Sequence, residues 1–376
     1  MDNSGQISAP GSLESGAVIA PDAPRVPDQD LGELARRYGL KLSGARPPLW
    51  GYLKALWQRR HFITGYATAR NVSMYTEAKL GQVWQVLTPL LNAGVYFLIF
   101  GLLFNTSRAV THFPAFLMVG VFVFAFTERS IVTGSNVMRA NLQLIRALYF
   151  PRASLPLAYV IVELQQMLIG MVVVVVAMLA SQEWPSWYWL WLIPIGVLQT
   201  MFNIGAALVV ARLGGSLADV SELIPFFLRI SRYFCGVMYL VFTVTYNYPR
   251  WVQWVLSLNP FAVFISLFRV AFMKTYRQDS AGNQPYNQGL CAQFLKAPGA
   301  HITPGTTVPT TLVDPASHLS SITITTQHIS NVPLQAYCAP VVTNNDLWIA
   351  GGAWAVVFFA FGIVFFWQAE HKYGRG

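Results

Sequence analysis

No charged residue lies between Lys79 and Arg108, and an apolar run of that length can cross a bilayer. Inside hydrocarbon the backbone must satisfy its own hydrogen bonds, which leaves helices and closed barrels as the only spanning structures. Residues 83–104 are the first of six such stretches; the others are 113–137, 155–180, 187–210, 224–244 and 347–367. Each approaches or exceeds the roughly 20 residues a spanning helix needs. Composition agrees, with 54% of residues hydrophobic and 11% charged, where soluble domains carry about a quarter charged. The mean hydropathy is +0.45. The chain reads as an all-α membrane protein with six transmembrane helices.

The net charge of +9 is concentrated near the ends of these stretches. Ten Lys and Arg precede the first one, from Arg25 to Lys79. Placement beside spans points to topology and to anionic lipid head groups, and no nucleic-acid module accompanies it. Arg139, Arg146 and Arg152 load the connector between the second and third spans, which puts it and both chain ends in the cytoplasm. Arg250, Lys274 and Arg277 then fall on the outer side, against the bias. Residues 1–47 are expected to be a disordered cytoplasmic tail without a signal peptide. The stretch opens with Asp2, Glu14, Asp22, Asp28 and Asp30 against Arg25 alone and has no apolar core.

Three segments depart from a simple span. Leu49, Trp50, Tyr52, Leu53, Leu56 and Trp57 share one side of a helix with Lys54 and Gln58 opposite, the pattern of an amphipathic interface helix. Residues 251–258 and 261–273 are each too short to cross, and Asn259–Pro260 breaks the helix between them. They form either an outer re-entrant hairpin or one kinked span that would reverse the last segment. After the transmembrane region at 48–275 comes a polar insert at 276–345, rich in Thr, Pro, Ser and Asn, where 320–327 alternates like a short strand. Facing an oxidising exterior, its Cys291 and Cys338 would form a disulfide; otherwise they are two unpaired thiols. Cys235 falls within a span and reads as packing. Residues 346–376 supply the sixth span and a cytoplasmic end.

The chain has no Gly-x4-Gly-Lys-Ser/Thr loop to hold nucleotide phosphates, no metal-ligand spacing of His and Cys, and no paired carboxylates in a pocket-like context. No catalytic residue, metal or cofactor is expected, and any ATP and Mg would bind a partner. Charges inside spans cost about 2.5–3.5 kcal/mol each on insertion scales and so face a cavity or one another. Glu128, Arg129, Glu163, Arg229 and Arg232 are the candidates. Glu128 and Arg129 are adjacent on a helix and cannot face one partner. Arg229 and Arg232 share a face, suited to an anionic lipid-pyrophosphate head group, to structural pairing with Glu222 or Asp219, or to snorkelling to the inner interface. Tyr96, Phe97, Phe100 and Phe104 in the first span, and Tyr233, Phe234, Tyr239 and Phe242 in the fifth, either line a path for sugar rings or pack against lipid and helices.

Arg70, Tyr75, Leu80, Gly81, Trp84 and Pro89 resemble the start of ABC-2 type permeases that export O-antigen and teichoic acid. Ile145, Arg146, Phe150, Pro151, Arg152 and Pro156 are similar to that family's coupling segment. Leu258–Phe261 with Arg269, and the closing Phe-rich span with Glu370 and Tyr373, match as well. The tail and the Cys-bearing insert look like the actinobacterial branch that exports a lipid-linked galactan precursor. The resemblance implies a homodimer, two separate ATPase subunits and a channel for a polyprenyl-pyrophosphate-linked glycan. It implies that Ile145, Arg146, Phe150, Pro151 and Arg152 dock into the ATPase; Pro151 fixes its own φ and biases Phe150 away from helix, so that ring is expected to project from a rigid turn. Other readings are an ABC-2 permease for a drug or lipid, a membrane glycosyltransferase using Glu128 or Glu163, and a receptor built on the insert.

Overall fold

The computed structural model describes residues 48–74, 79, 81–99, 112–148, 150–239, 241, 250–273, 276 and 342–370. These belong to one compact unit, Arg46–Gly376. Among them the regular structure is entirely helical. The order is α1 (Leu49–Gln58), α2 (Arg60–Ser73), α3 (Trp84–Tyr96), α4 (Phe113–Ala140), α5 (Leu142–Ala147), α6 (Ser154–Ala180) and α7 (Leu192–Ser216). Then follow α8 (Ala218–Phe234), α9 (Arg250–Ser257), α10 (Pro260–Phe272) and α11 (Asn344–Ala369).

Among the described residues four helices are long and apolar enough to cross a membrane, or five if the bent pair below is one span: Phe113–Ala140, Ser154–Ala180, Trp187–Ser216 and Asn344–Ala369. Six were expected, and the first and fifth differ. For the first, helix α3 and a π turn carry the helical path to Ile99, and residues 100–104 of the expected span lie outside the described residues. The fifth expected span, 224–244, is not one continuous helix. Helix α8 starts earlier, at Ala218, and stops at Phe234. Its end is set by Gly236, whose φ of 71° only a residue without Cβ adopts readily.

The break at Asn259–Pro260 is present. Trp251–Ser257 and Pro260–Phe272 meet at 73°. The Asn259 side chain accepts from the Ala262 amide at 2.8 Å, and Pro260 begins α10, so one helix cannot run through. At the start of α11, Thr343 and Asp346 form a reciprocal capping box. Cys291, Cys338, the strand-like 320–327, Phe100, Phe104 and Phe242 lie outside the described residues. Cys235 is buried as a free thiol.

Small residues let the spans approach closely, the packing that serves where lipid is as apolar as the protein. Gly205 of α7 lies against the Phe358 backbone of α11, and Gly362 of α11 lies against Gly205. A Cβ on Gly134 of α4 would sit 3.0 Å from Ala207 of α7. Beside this seam Phe202 packs on Phe358 and Phe264, with ring centroids 4.9 and 5.6 Å away. Helix α1 turns Tyr52 inward and leaves Trp50 and Trp57 exposed. Helix α2 packs Ile63 and Ala67 on Ala158 and Val162 of α6.

Candidate functional site

The intramembrane charges divide between two neighbours, as adjacent positions on a helix require. Glu128 faces α8, where Arg232 forms an ion pair with it. The Arg232 guanidinium also donates to the Tyr96 hydroxyl at 2.7 Å and lies over the Phe124 ring at 5.2 Å. One arginine thus ties α8 to both α3 and α4. The group borders a small cavity of about 170 Å³ lined also by Thr88, Asn92 and Arg129. Arg129, though it borders the cavity, makes its hydrogen bond elsewhere, donating to Gln166 of α6 at 2.9 Å. Glu163, one turn before Gln166, is buried among the spans.

Of the alternatives for Arg232, pairing with Glu222 or Asp219 does not occur. Both acids precede it on its own helix and are exposed, while Glu128 is brought in by packing from α4. Arg229 does not share Arg232's environment. It is exposed on α8 and makes no ion pair among the described residues. Phe226, Phe227, Ile230, Tyr233 and Phe234 are also exposed there, so the second half of α8 presents an apolar, largely aromatic surface with one cation, after the exposed acids of its first turns. Tyr239 is half-buried and donates to the Tyr233 carbonyl at 2.7 Å. Phe97 packs on Phe113 at 6.3 Å. Tyr96 accepts from Arg232 through its hydroxyl and borders the small cavity.

The segment joining α4 to α6 is anchored at several points. Ile145 and Phe150 are buried in a cluster with Tyr52, Val137, Met138, Leu155 and Phe366. Phe150 is only 7% exposed and its ring lies 5.9 Å from that of Phe62, so it does not project toward a partner. Burying the ring removes apolar area from water and fixes the turn at Pro151. Arg152 is held to the end of α11: its amide donates to Glu370 Oε1 at 3.1 Å and its guanidinium to the Glu370 carbonyl. The next amide, Ala153, donates to the Tyr52 hydroxyl at 3.1 Å, so α1 is joined to the same point. Burial pushes the Glu370 carboxyl above its ordinary range, opposed by its hydrogen bonds and by the Arg152 charge. Burial, and then the Glu370 charge, push the Tyr52 hydroxyl up as well. The exposed residues of the connector are Leu142, Gln143, Arg146, Ala147 and Leu148.

Arg269 of α10 is a key residue that span-charge reasoning passed over. It is buried, donates to the Gly236 and Val237 carbonyls at 2.7 Å each, and reaches the Phe116 carbonyl at 3.3 Å. The turn after α8 leaves those carbonyls without helical partners, and Arg269 supplies the donors. Its signal was visible as the lone charge in the apolar run 261–273. Among the described residues no group of His, Cys, Asp and Glu is placed to hold a metal.

Long apolar helices, a broken helical pair and intramembrane charges satisfied between helices define a multi-pass membrane protein. Residues 65–273 of the 376 match the ABC-2 type transporter model, and the chain belongs to that family. It is 28% identical over 200 residues to the O-antigen export system permease protein RfbA of Klebsiella pneumoniae, covering 53% of this chain and 75% of that one. It is 23% identical over 221 residues to the Myxococcus xanthus protein of the same name, covering 58% and 83%.

Proposed function

We propose that this chain is the permease subunit of an ABC transporter that exports a polyprenyl-pyrophosphate-linked polysaccharide across the cytoplasmic membrane. Cell-wall galactan is the finer assignment. The reading has the chain as a homodimer driven by two separate ATPase subunits, with both termini cytoplasmic. The observation that carries it is the similarity to O-antigen export permeases from two organisms. Two features of the site support it. The α4–α6 connector is locked to α1 and to the end of α11, so a push on its exposed Leu142, Arg146 and Leu148 is passed to the spans rather than absorbed in a loop. The α8 surface offers aromatic faces for sugar rings and Arg229 for an anionic head group. Glu128 is held by Arg232 and Glu163 is buried among spans, a poor arrangement for glycosyl-transfer chemistry.

Depletion of the chain in its native host, followed by assay of lipid-linked glycan on each membrane face, tests this reading. Glycan is expected to accumulate on the cytoplasmic face, and galactofuranose in the trapped polymer supports the galactan assignment. Unchanged export after depletion refutes the polysaccharide reading. Sensitisation to a drug without a glycan defect would favour the drug-permease alternative.

A further inference from the structure

A cavity of about 780 Å³ opens between α1 and the spans α6, α7 and α11. Its walls are apolar: Leu53 and Leu56 come from α1, Ile161 from α6, Ile204 from α7, and Phe359 and Ile363 from α11. Lys54 and Arg60 also line it, and both are exposed. Arg60 is steadied by Trp57, over whose ring it lies at 5.5 Å. Trp50 and Trp57, also at the cavity, are 80% and 70% exposed, the placement of tryptophans at a membrane–water boundary. A deep apolar groove with two cations on the residues that line it, built on an amphipathic helix, has the chemistry of an amphiphile site with an anionic head.

We propose that this groove binds one anionic phospholipid of the surrounding bilayer, with an acyl chain between α1 and the spans and the phosphate on Lys54 and Arg60. The volume falls in the range of about 300–1,000 Å³ that single small-molecule ligands fill. That suits one acyl chain of a diacyl lipid, whereas a long polyprenyl tail would leave most of its length outside. Charge selects the anionic class, because juxtamembrane Lys and Arg are drawn to negative lipid. Position gives the site a consequence. The groove shares Tyr52 and Ala153 with the anchor of the α4–α6 connector, so an occupied groove buttresses α1 where it holds that connector. The site lies apart from the Glu128–Arg232 cluster and from the exposed face of α8, and it does not depend on which substrate is exported.

The test is native mass spectrometry of the full chain, extracted in mild detergent and equilibrated with palmitoyl-oleoyl phosphatidylglycerol or phosphatidylcholine. Each cation near an anionic surface contributes about five-fold, so the wild type should retain phosphatidylglycerol about twenty-five-fold better. The Lys54→Gln/Arg60→Gln variant should bring the two lipids to near parity. Ile161→Trp, which narrows the groove and keeps both cations, should lower retention of both lipids, and thermal unfolding of each variant checks that it is folded. Wild-type selectivity in the folded double variant overturns the proposal. So does displacement of phosphatidylglycerol by an equal amount of polyprenyl phosphate, which would assign the groove to the carrier lipid. A photo-crosslinker at position 161 that captures residues 1–47 instead of lipid also overturns it.

Discussion

Replacing Glu128 with glutamine leaves the Arg232 charge in the cavity between α3, α4 and α8 without a counter-charge, facing the Tyr96 hydroxyl and a neutral amide oxygen. Both side chains of the pair are 21% exposed, so water screens them only partly. Breaking a fully buried pair costs about 3–5 kcal/mol, and partial exposure puts this one at about 2–3 kcal/mol. Arg232→Gln should cost a similar amount by leaving Glu128 alone. Removing both charges leaves two neutral amides able to bond each other, so the double variant should cost at least about 1 kcal/mol less than the sum of the singles. The assay is denaturant unfolding of the chain in detergent micelles, followed by tryptophan fluorescence across the four proteins of the cycle. Strict additivity would refute the claim that one arginine joins α8 to α4. Tyr96→Phe should weaken Arg232 more mildly, by about 1–2 kcal/mol, and a larger loss than Glu128→Gln would reverse the assigned order of partners.

Phe150→Ala should destabilise the chain by about 3–5 kcal/mol through the emptied site, while exposed Arg146→Glu leaves unfolding unchanged and lowers ATPase stimulation in the reconstituted transporter. Stability and coupling assays on both variants separate anchor from contact, and a fully stable Phe150→Ala would contradict the burial. Gly205→Val drives a branched side chain into the Phe358 backbone and should cost about 3 kcal/mol or more, read as loss of the folded species on size-exclusion chromatography. Arg269→Met leaves the Gly236 and Val237 carbonyls without their donor, at about 3–5 kcal/mol, and Arg269→Lys should recover little because an ammonium lacks the fork. Burial raises the Glu370 pKa, so the folded chain holds that proton more tightly than the unfolded one. Its contribution is complete below the ordinary carboxylate pKa and is lost as pH rises through the raised folded value. Glu370→Gln should therefore flatten the fall in melting temperature over that window, and an unaltered profile would remove Glu370 as its source.

Much of this protein is set by local chemistry. The apolar runs at 113–137, 155–180, 187–210 and 347–367 each became a long helix, because hydrocarbon-length segments have no other way to satisfy their backbone. Asn259–Pro260 marked the break between α9 and α10 for an equally local reason, a side-chain cap followed by a residue without an amide proton. The rule that adjacent helical residues diverge anticipated that Glu128 and Arg129 would serve different neighbours. Which neighbours they serve is a matter of packing. Arg232 meets a glutamate 104 positions earlier, and the acids near it in sequence stay exposed. Phe150 looked like a projecting ring because Pro151 stiffens its turn, but the approach of α1 and the end of α11 encloses it. Arg269 carried a visible signal, yet its carbonyl partners exist only because α8 ends at Phe234, before Gly236, and α10 folds back beside it. Helix, break and apolar face follow from neighbours within a few residues, so the sequence alone determines them. The partner of each buried charge depends on contacts between helices far apart along the chain, and only the tertiary structure decides it.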